Sequence, residues 1–295
     1  MNIYSAKIIA CTVFALLAFA GNSILCRMAL GEGAIDPASF TIIRLFSGII
    51  VLMVAVFCIR KKSESSAVGS WRGAAMLFIY AVAFSYGYVS LDTGTGALIL
   101  FGSVQITMAI MNIISGGRPS LYEWLGMIVA FSGLAYLVLP GLTTPSIMGF
   151  ALMAFSGAAW SGYTLIGKGS VDPLRDTAYN FLRTSPLILF FIYFTFESYD
   201  VSSNGFLLAV VSGAVTSGMG YLLWYIAIGG LSITKAAAVQ LFVPIIAAFG
   251  GLVFSNEIIT MHLIEASVLI LGGVLAVILG SSRSKKDTDK LTRCL

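Results

Sequence analysis

The sequence predicts an all-α integral membrane protein: ten transmembrane helices forming two inverted five-helix repeats, with both termini in the cytoplasm. Three observations lead there: the composition, the spacing of the apolar runs, and a phrase written twice. Of 295 residues, 58% are hydrophobic and only 10% charged, with a mean hydropathy of +0.96. A soluble domain carries roughly 25% charged residues. This chain has too few to cover a water-facing surface, so its solvent is lipid. The net charge of +4 does not argue for nucleic acid. Its basic residues fall in short clusters between apolar runs and at the tail, with no aromatic-interleaved platform. Cys11, Cys26, Cys58 and Cys294 show no CxxC spacing, and His262 is the sole histidine. Neither a metal site, a disulfide framework nor a histidine-based triad is indicated, and no cofactor is expected.

A helix needs about 20 apolar residues to cross a bilayer. Runs of that kind fall near 8–30, 38–59, 73–91, 93–114, 122–140, 146–167, 177–198, 205–228, 231–254 and 262–281. The breaks are short and rich in Gly, Pro, Asp, Ser and Thr. Asp92-Thr93-Gly94 and Gly229-Gly230 divide stretches too long for one helix and read as tight hairpins. The start, Lys7 to Ala18-Phe19-Ala20, imitates a cleavable signal peptide. Apolar character continues to Leu30, however, and removal would break the repeat, so the segment is read as the first span.

Charge tests this count. With the N-terminus in the cytoplasm, internal segments hold Lys7; Arg60, Lys61, Lys62 and Arg72; Arg118; Lys168 and Arg175; Lys235; and Arg283, Lys285, Lys286, Lys290 and Arg293. External turns hold none, and Arg27, Arg44 and Arg183 lie within spans.

The repeated phrase is AIDPASFTIIR at 34–44 and SVDPLRDTAYNFLR at 170–183: Asp-Pro, an apolar stretch, then Arg44 or Arg183. Each Asp-Pro caps and starts the second helix of its unit, since Pro is tolerated in a first helical turn. YGYVSLDTGTGALILFGSVQ (86–105) also aligns with YLLWYIAIGGLSITKAAAVQ (221–240), placing Tyr86 on Tyr221 and Gln105 on Gln240. The units are 1–140 and 146–282, followed by a basic cytoplasmic tail at 283–295. Five is odd, so the second unit enters from the opposite face. Inverted repeats of this kind characterise transporters, whose central site opens alternately to either side.

This ten-helix plan, the Asp-Pro…Arg starts and the run PIIAAFGGLVFSNEIIT (Pro244, Gly251, Glu257, Thr260) resemble the EamA branch of the drug/metabolite transporter superfamily. Within it, the chain is most similar to bacterial exporters of aromatic amino acids. The first half departs from the pattern at Ala20-Gly21, Ala109 and Arg118. The resemblance implies a multi-pass protein of the cell inner membrane. It would export small amphipathic metabolites, amino acids or organic cations, by alternating access, with the lipid bilayer and a small-molecule substrate as partners. It leaves the choice between monomer and oligomer open.

Candidate site residues follow from depth. Gln105 and Gln240 lie about ten residues into their spans, hence roughly 15 Å deep. Polar groups there face the bundle interior, either as a site or as interhelical glue. Tyr86, Tyr221, Trp160 and Tyr163 also lie deep and suit a cavity wall for a flat organic substrate or, through cation–π contact, a cation. Tyr88, Trp224 and Tyr225 lie near helix ends and read as the interfacial belt. Asn22, Ser23, Ser161 and Thr164 make helices 1 and 6 polar within. Arg44 and Arg183 would either hold a substrate carboxylate or snorkel and tie a helix end. Backbone N–H groups at Thr93-Gly94 and Ser232-Ile233 offer a carboxylate seat or ordinary capping. The glycine pairs 116–117, 250–251 and 272–273 read as packing residues.

All thirteen acidic residues fall in loops, the tail or first turns. Transport is therefore expected to run on the substrate gradient, or to be coupled without a buried carboxylate. A nucleotide-sugar or sugar-phosphate carrier is the alternative cargo class, but it calls for clustered deep cations. An intramembrane enzyme lacks a nucleophile–base pair, and a passive scaffold gives no reason for the repeat.

Overall fold

The computed structural model describes residues 3–59, 69–114, 120–138, 145–195, 200–231 and 233–293, and the helices defined here account for nearly all of them. Arg60, Lys61, Lys62, Arg118, Gly116-Gly117 and Ser232 lie outside the described residues. The first half comprises α1 (Ile3–Gly31), α2 (Pro37–Cys58), α3 (Trp71–Tyr88), α4 (Thr93–Ile114) and α5 (Leu121–Val138). The second begins with α6 (Ile147–Gly167), α7 (Pro173–Leu182), α8 (Ser185–Thr195) and α9 (Ser203–Val211). A π segment, Ser212–Met219, leads into α10 (Gly220–Gly230). After it come α11 (Ile233–Gln240), α12 (Phe242–Phe254) and α13 (Met261–Arg293). Among the described residues, five stretches are both long and apolar enough to cross a membrane: Ser5–Gly31, Pro37–Cys58, Thr93–Met111, Ser203–Gly230 and Met261–Gly280. Exposed large apolar side chains, among them Phe14, Ile50, Phe57, Phe190 and Phe249, cover the outer faces, as a lipid-facing surface requires.

The apolar runs are helical where the sequence places them, but three are interrupted. The run at 177–198 breaks at Arg183-Thr184. Pro186 has no N–H to give the carbonyl of residue 182, so the ladder stops one turn before it. Thr184 covers the break by donating its hydroxyl to the Phe181 carbonyl at 2.6 Å. Pro244 similarly breaks the ninth run at Leu241, leaving Gln240 as the last residue of α11. In the eighth run the sequence SGAVTSGM winds as a π-helix. Such insertions are rare and concentrate at functional sites.

Both Asp-Pro phrases start helices as expected. Asp36 accepts from the Ser39 amide and Asp172 from the Arg175 amide. Thr41 and Thr177, each five residues after its aspartate, donate to the prolyl carbonyls of Pro37 and Pro173 at 2.7 Å. Ser70 and Ser202 then cap α3 and α9.

Packing is set by small residues that let backbones approach. The main pairings are α5 with α13, α3 and α4 with α6, α12 with α4 and α1, α1 with α10, and α2 with the π segment and α7. A Cβ on Gly126 would lie 2.6 Å from the Gly273 carbonyl, which fixes the α5–α13 crossing. A Cβ on Gly213 would collide with the Arg44 carbonyl and the Ser47 hydroxyl, so the π segment lies directly on α2. Of the predicted packing pairs, Gly250, Gly251 and Gly273 stand at close approaches, whereas Gly272 faces open space.

The belt expected for Tyr88, Trp224 and Tyr225 is corrected: all three are buried, at 0%, 0% and 2% exposure. Their helix ends are covered by neighbouring chain. Tyr88 donates to the Thr93 carbonyl at 3.2 Å and Tyr225 to the Tyr163 carbonyl at 3.1 Å.

Candidate functional site

The centre of the bundle is a polar knot inside an aromatic shell. Arg44 lies about two turns into α2 and is 1% exposed. Its Nε donates to the Ser217 hydroxyl at 2.8 Å. Its Nη2 donates to the Tyr221 hydroxyl at 2.6 Å and the Tyr80 hydroxyl at 3.2 Å. The two phenols also meet, Tyr221 donating to Tyr80 at 2.9 Å. Below the guanidinium lie the rings of Tyr80 and Phe84, with centroids at 5.2 and 4.9 Å, a range in which the ring face attracts a cation. Asn22 joins the knot from α1. Its Nδ2 donates to Tyr80, while its Oδ1 accepts from Ser212 at 2.7 Å and Thr216 at 3.2 Å. The π-helical winding brings Ser212, Thr216 and Ser217 to bear on Asn22 and Arg44 together.

Trp160 packs against Tyr221 at 4.7 Å, Tyr80 at 5.0 Å and Tyr163 at 5.6 Å between centroids. Phe19 stands edge-on to Trp160 at 5.2 Å. The Trp160 indole donates to Gln240 Oε1 at 3.2 Å, and Gln240 in turn donates to the Ala236 carbonyl. Among the described residues, Arg44 Nη1 and the Tyr163 hydroxyl are buried without a hydrogen-bond partner.

The structure thus brings together Arg44, Asn22, Trp160, Tyr163, Tyr221 and Gln240. It does not bring the remaining predicted residues to them. Tyr86 is half-buried and meets Phe191 at 6.5 Å. Tyr80, six residues earlier and so on another face of α3, occupies the place expected for it. Gln105 is buried beside Ala109, Met127, Ala130 and Val274, between α4 and the α5–α13 pair. Arg183 lies at the α7–α8 break, its guanidinium 5.9 Å from the Trp71 ring. Counted from the capping aspartates, the counterpart of Arg44 is Asn180, not Arg183. Asn180, Tyr80 and Ser217 were missed; the shared offset of eight residues was the signal that would have found Asn180. Ser23 and Ser161 bond back to carbonyls, and Thr164 accepts from Trp224.

The two ends of the bundle differ. At one, Arg27 holds Glu257 at 3.2 Å and Asp92 at 3.3 Å. Glu257 also accepts from the Thr93 amide at 2.9 Å and the Thr93 hydroxyl at 3.0 Å. The carboxylate seat foreseen at this helix start is therefore filled by the protein's own Glu257, presented by Asn256 at φ 51°. At the same end the 34–36 segment pairs with 200–202. At the other end a cavity of about 250 Å³ is lined by Gly69, Ser70, Gly167, Asp176, Asn180 and Tyr225 among others. Asp176 accepts from the Gly69 amide and Asn180 from the Ser70 amide, both at 2.7 Å. Tyr225, which lines this cavity, stands 5.0 Å from Tyr163 between ring centroids, and Tyr163 stands 6.2 Å from Tyr221.

Residues 147–279 match the EamA-like transporter family. The chain is 45% identical over 267 residues to an uncharacterised protein of Pseudomonas aeruginosa, covering 90% of this chain and 93% of that one. It is 21% identical to the uncharacterised transporter YoaV of Bacillus subtilis, covering 88% and 92% of the two chains. A solved crystal structure superposes with a TM-score of 0.66 at 18% identity, over 92% of this chain and 96% of that one. The EamA-like domain at 147–279 and the transporter named among these relatives support a multi-pass membrane transporter of the drug/metabolite transporter superfamily, and not an enzyme.

Proposed function

We propose that the protein exports small amphipathic metabolites, amino acids with aromatic or other neutral side chains, by alternating access at the Arg44–Tyr80–Tyr221 knot. The observation that carries this reading is that the knot is buried, polar and built from both parts of the chain. Asn22, Arg44 and Tyr80 precede residue 140, while Trp160, Ser217, Tyr221 and Gln240 follow residue 146. Polar groups so deep in lipid-facing helices mark a solute path, and the ring wall suits a planar or apolar side chain.

The two-unit plan, 1–140 and 146–282 in opposite orientation with cytoplasmic termini, is supported by matched local chemistry. Asp36-Pro37 and Asp172-Pro173, Thr41 and Thr177, and the Ser70 and Ser202 caps recur in the same order. The helix pairings α3 with α6 and α1 with α10 are images of each other under such a two-fold, as are α4 with α6 and α12 with α1. The distribution of Lys and Arg favours an orientation with the Arg27–Glu257 end outside and the Asp176–Asn180 cavity at the cytoplasmic face of the inner membrane. Among the described residues no acid joins the central knot, which favours a process driven by the substrate gradient.

The test is counterflow in liposomes with radiolabelled phenylalanine, threonine and methyl viologen. Wild-type protein should exchange the amino acids, and Tyr221→Phe should slow that exchange. Counterflow of a nucleotide sugar but of no amino acid would overturn the reading.

A further inference from the structure

We propose that Arg44 is the seat for the substrate's negative charge, and that the transported species is an organic carboxylate whose second oxygen takes the Tyr163 hydroxyl. This rests on the reading of the central knot as the transport site. An arginine at 1% exposure whose partners are Tyr80, Tyr221 and Ser217 is a cation held by neutral groups. Among the described residues, the ion pairs belong to Arg27 and none to Arg44. Burying a charge without a counter-ion is costly, and dipoles and ring faces compensate it only in part.

A purely structural role does not account for this cost. The tyrosine–tyrosine bond and the Asn22–Ser212 bond already join the two parts of the chain without a charge. A neutral amide at position 44 would serve as glue. What the knot lacks is one negative charge and acceptors for two buried donors, Arg44 Nη1 and the Tyr163 hydroxyl. A carboxylate brings all of these, and guanidinium is its strongest side-chain partner. Both donors neighbour Tyr221, which bonds Arg44 through its hydroxyl and lies 6.2 Å from the Tyr163 ring. An arriving carboxylate therefore replaces the Tyr221–Arg44 contact. The same charge repels an organic cation, which the rings alone would accept.

The test compares counterflow of phenylalanine and phenylalaninamide, which share a ring and an amine but differ at the carboxylate. Wild-type protein should exchange the acid about tenfold or more faster than the amide, the discrimination one charge-assisted hydrogen bond supplies. Arg44→Gln should bring the acid-to-amide ratio near one, whereas Arg44→Lys keeps it above one. Tyr163→Phe breaks no hydrogen bond that its hydroxyl makes among the described residues. It should leave thermal stability unchanged and raise the KM for the acid severalfold without moving that for the amide. The ratio in the wild type and in Tyr163→Phe decides the matter even if Arg44→Gln does not fold. Equal exchange of acid and amide by the wild type, or an unaltered ratio in Arg44→Gln, overturns the proposal and leaves the amino-acid reading standing. Exchange of neither compound overturns both.

Discussion

Arg44 and Asn180 occupy the same place in two like helix starts, eight residues after the capping aspartates Asp36 and Asp172, yet they do different work. Arg44 points its guanidinium into the central knot, while Asn180 accepts from the Ser70 amide at the rim of the cavity. Each is 1% exposed. One position thus carries a charge in one unit and a neutral amide in the other, so among the described residues Arg44 is the buried arginine.

Asn180→Ala should remove the acceptor of a buried amide and loosen the Ser70 cap of α3. The expected loss is about 1–3 kcal/mol, read as a fall in Tm by scanning fluorimetry in detergent. Asn180→Asp keeps the acceptor and should lose less. Asn180→Arg, which would make the two starts alike, adds a second buried cation and should not yield folded protein.

The crossing of α2 with the π segment predicts a sharp steric response. Gly213→Ala places a methyl against the Arg44 carbonyl, and overpacking of that kind costs about 1–3 kcal/mol. Gly272→Ala, where nothing stands within 4 Å, is the matched control and should be neutral. Similar Tm values for the two variants would show that the π segment does not press on α2.

How much of this was legible in the sequence depends on the kind of signal. Helix positions were legible, because apolar length and the Asp-Pro and Ser caps are local. Which face each helix presents was not. Tyr86 and Tyr80 both look like deep tyrosines of α3, and only packing against α6 and α7 selects Tyr80 for the knot and leaves Tyr86 against Phe191. Gln105 and Gln240 align by sequence, yet Pro244 ends α11 at Gln240 while α4 runs unbroken through Gln105. That difference in winding separates them. The buried state of Tyr88, Trp224 and Tyr225 was hidden because nearness to a helix end implies the interface only if nothing covers that end.

Glu257 ties three parts of the chain together at the Arg27 end: α1 through Arg27, the start of α4 through Thr93, and its own loop. Its side chain is 11% exposed and that of Arg27 is 21% exposed. Breaking the pair should therefore cost more than a surface bridge and less than a fully buried one, about 1–3 kcal/mol. Cys26, adjacent to Arg27 and fully buried, is a native reporter. In a variant lacking the other cysteines, Glu257→Gln should raise the rate at which a membrane-impermeant maleimide labels Cys26 from outside. Unchanged labelling would mean that this cluster does not hold the end closed.

Gly167 predicts how solute passes from the cavity to the knot. A Cβ there would collide with the Tyr225 ring, so the ring lies flat against α6 only because this position is glycine. Tyr225 in that place lines the 250 Å³ cavity and packs on Tyr163, which in turn neighbours Tyr221. Gly167→Ala should push the ring off its seat, break its bond to the Tyr163 carbonyl and hold the passage ajar. Loss of one such interhelical bond costs only about 1 kcal/mol in a membrane bundle, so the variant should fold and keep a nearly wild-type Tm. Its counterflow KM should change severalfold, because the ring no longer reseats behind the solute. Tyr225→Phe keeps the ring and loses only the bond, and so should change KM less than Gly167→Ala does. The reverse order would assign the effect to the hydroxyl and not to the ring's position as a door.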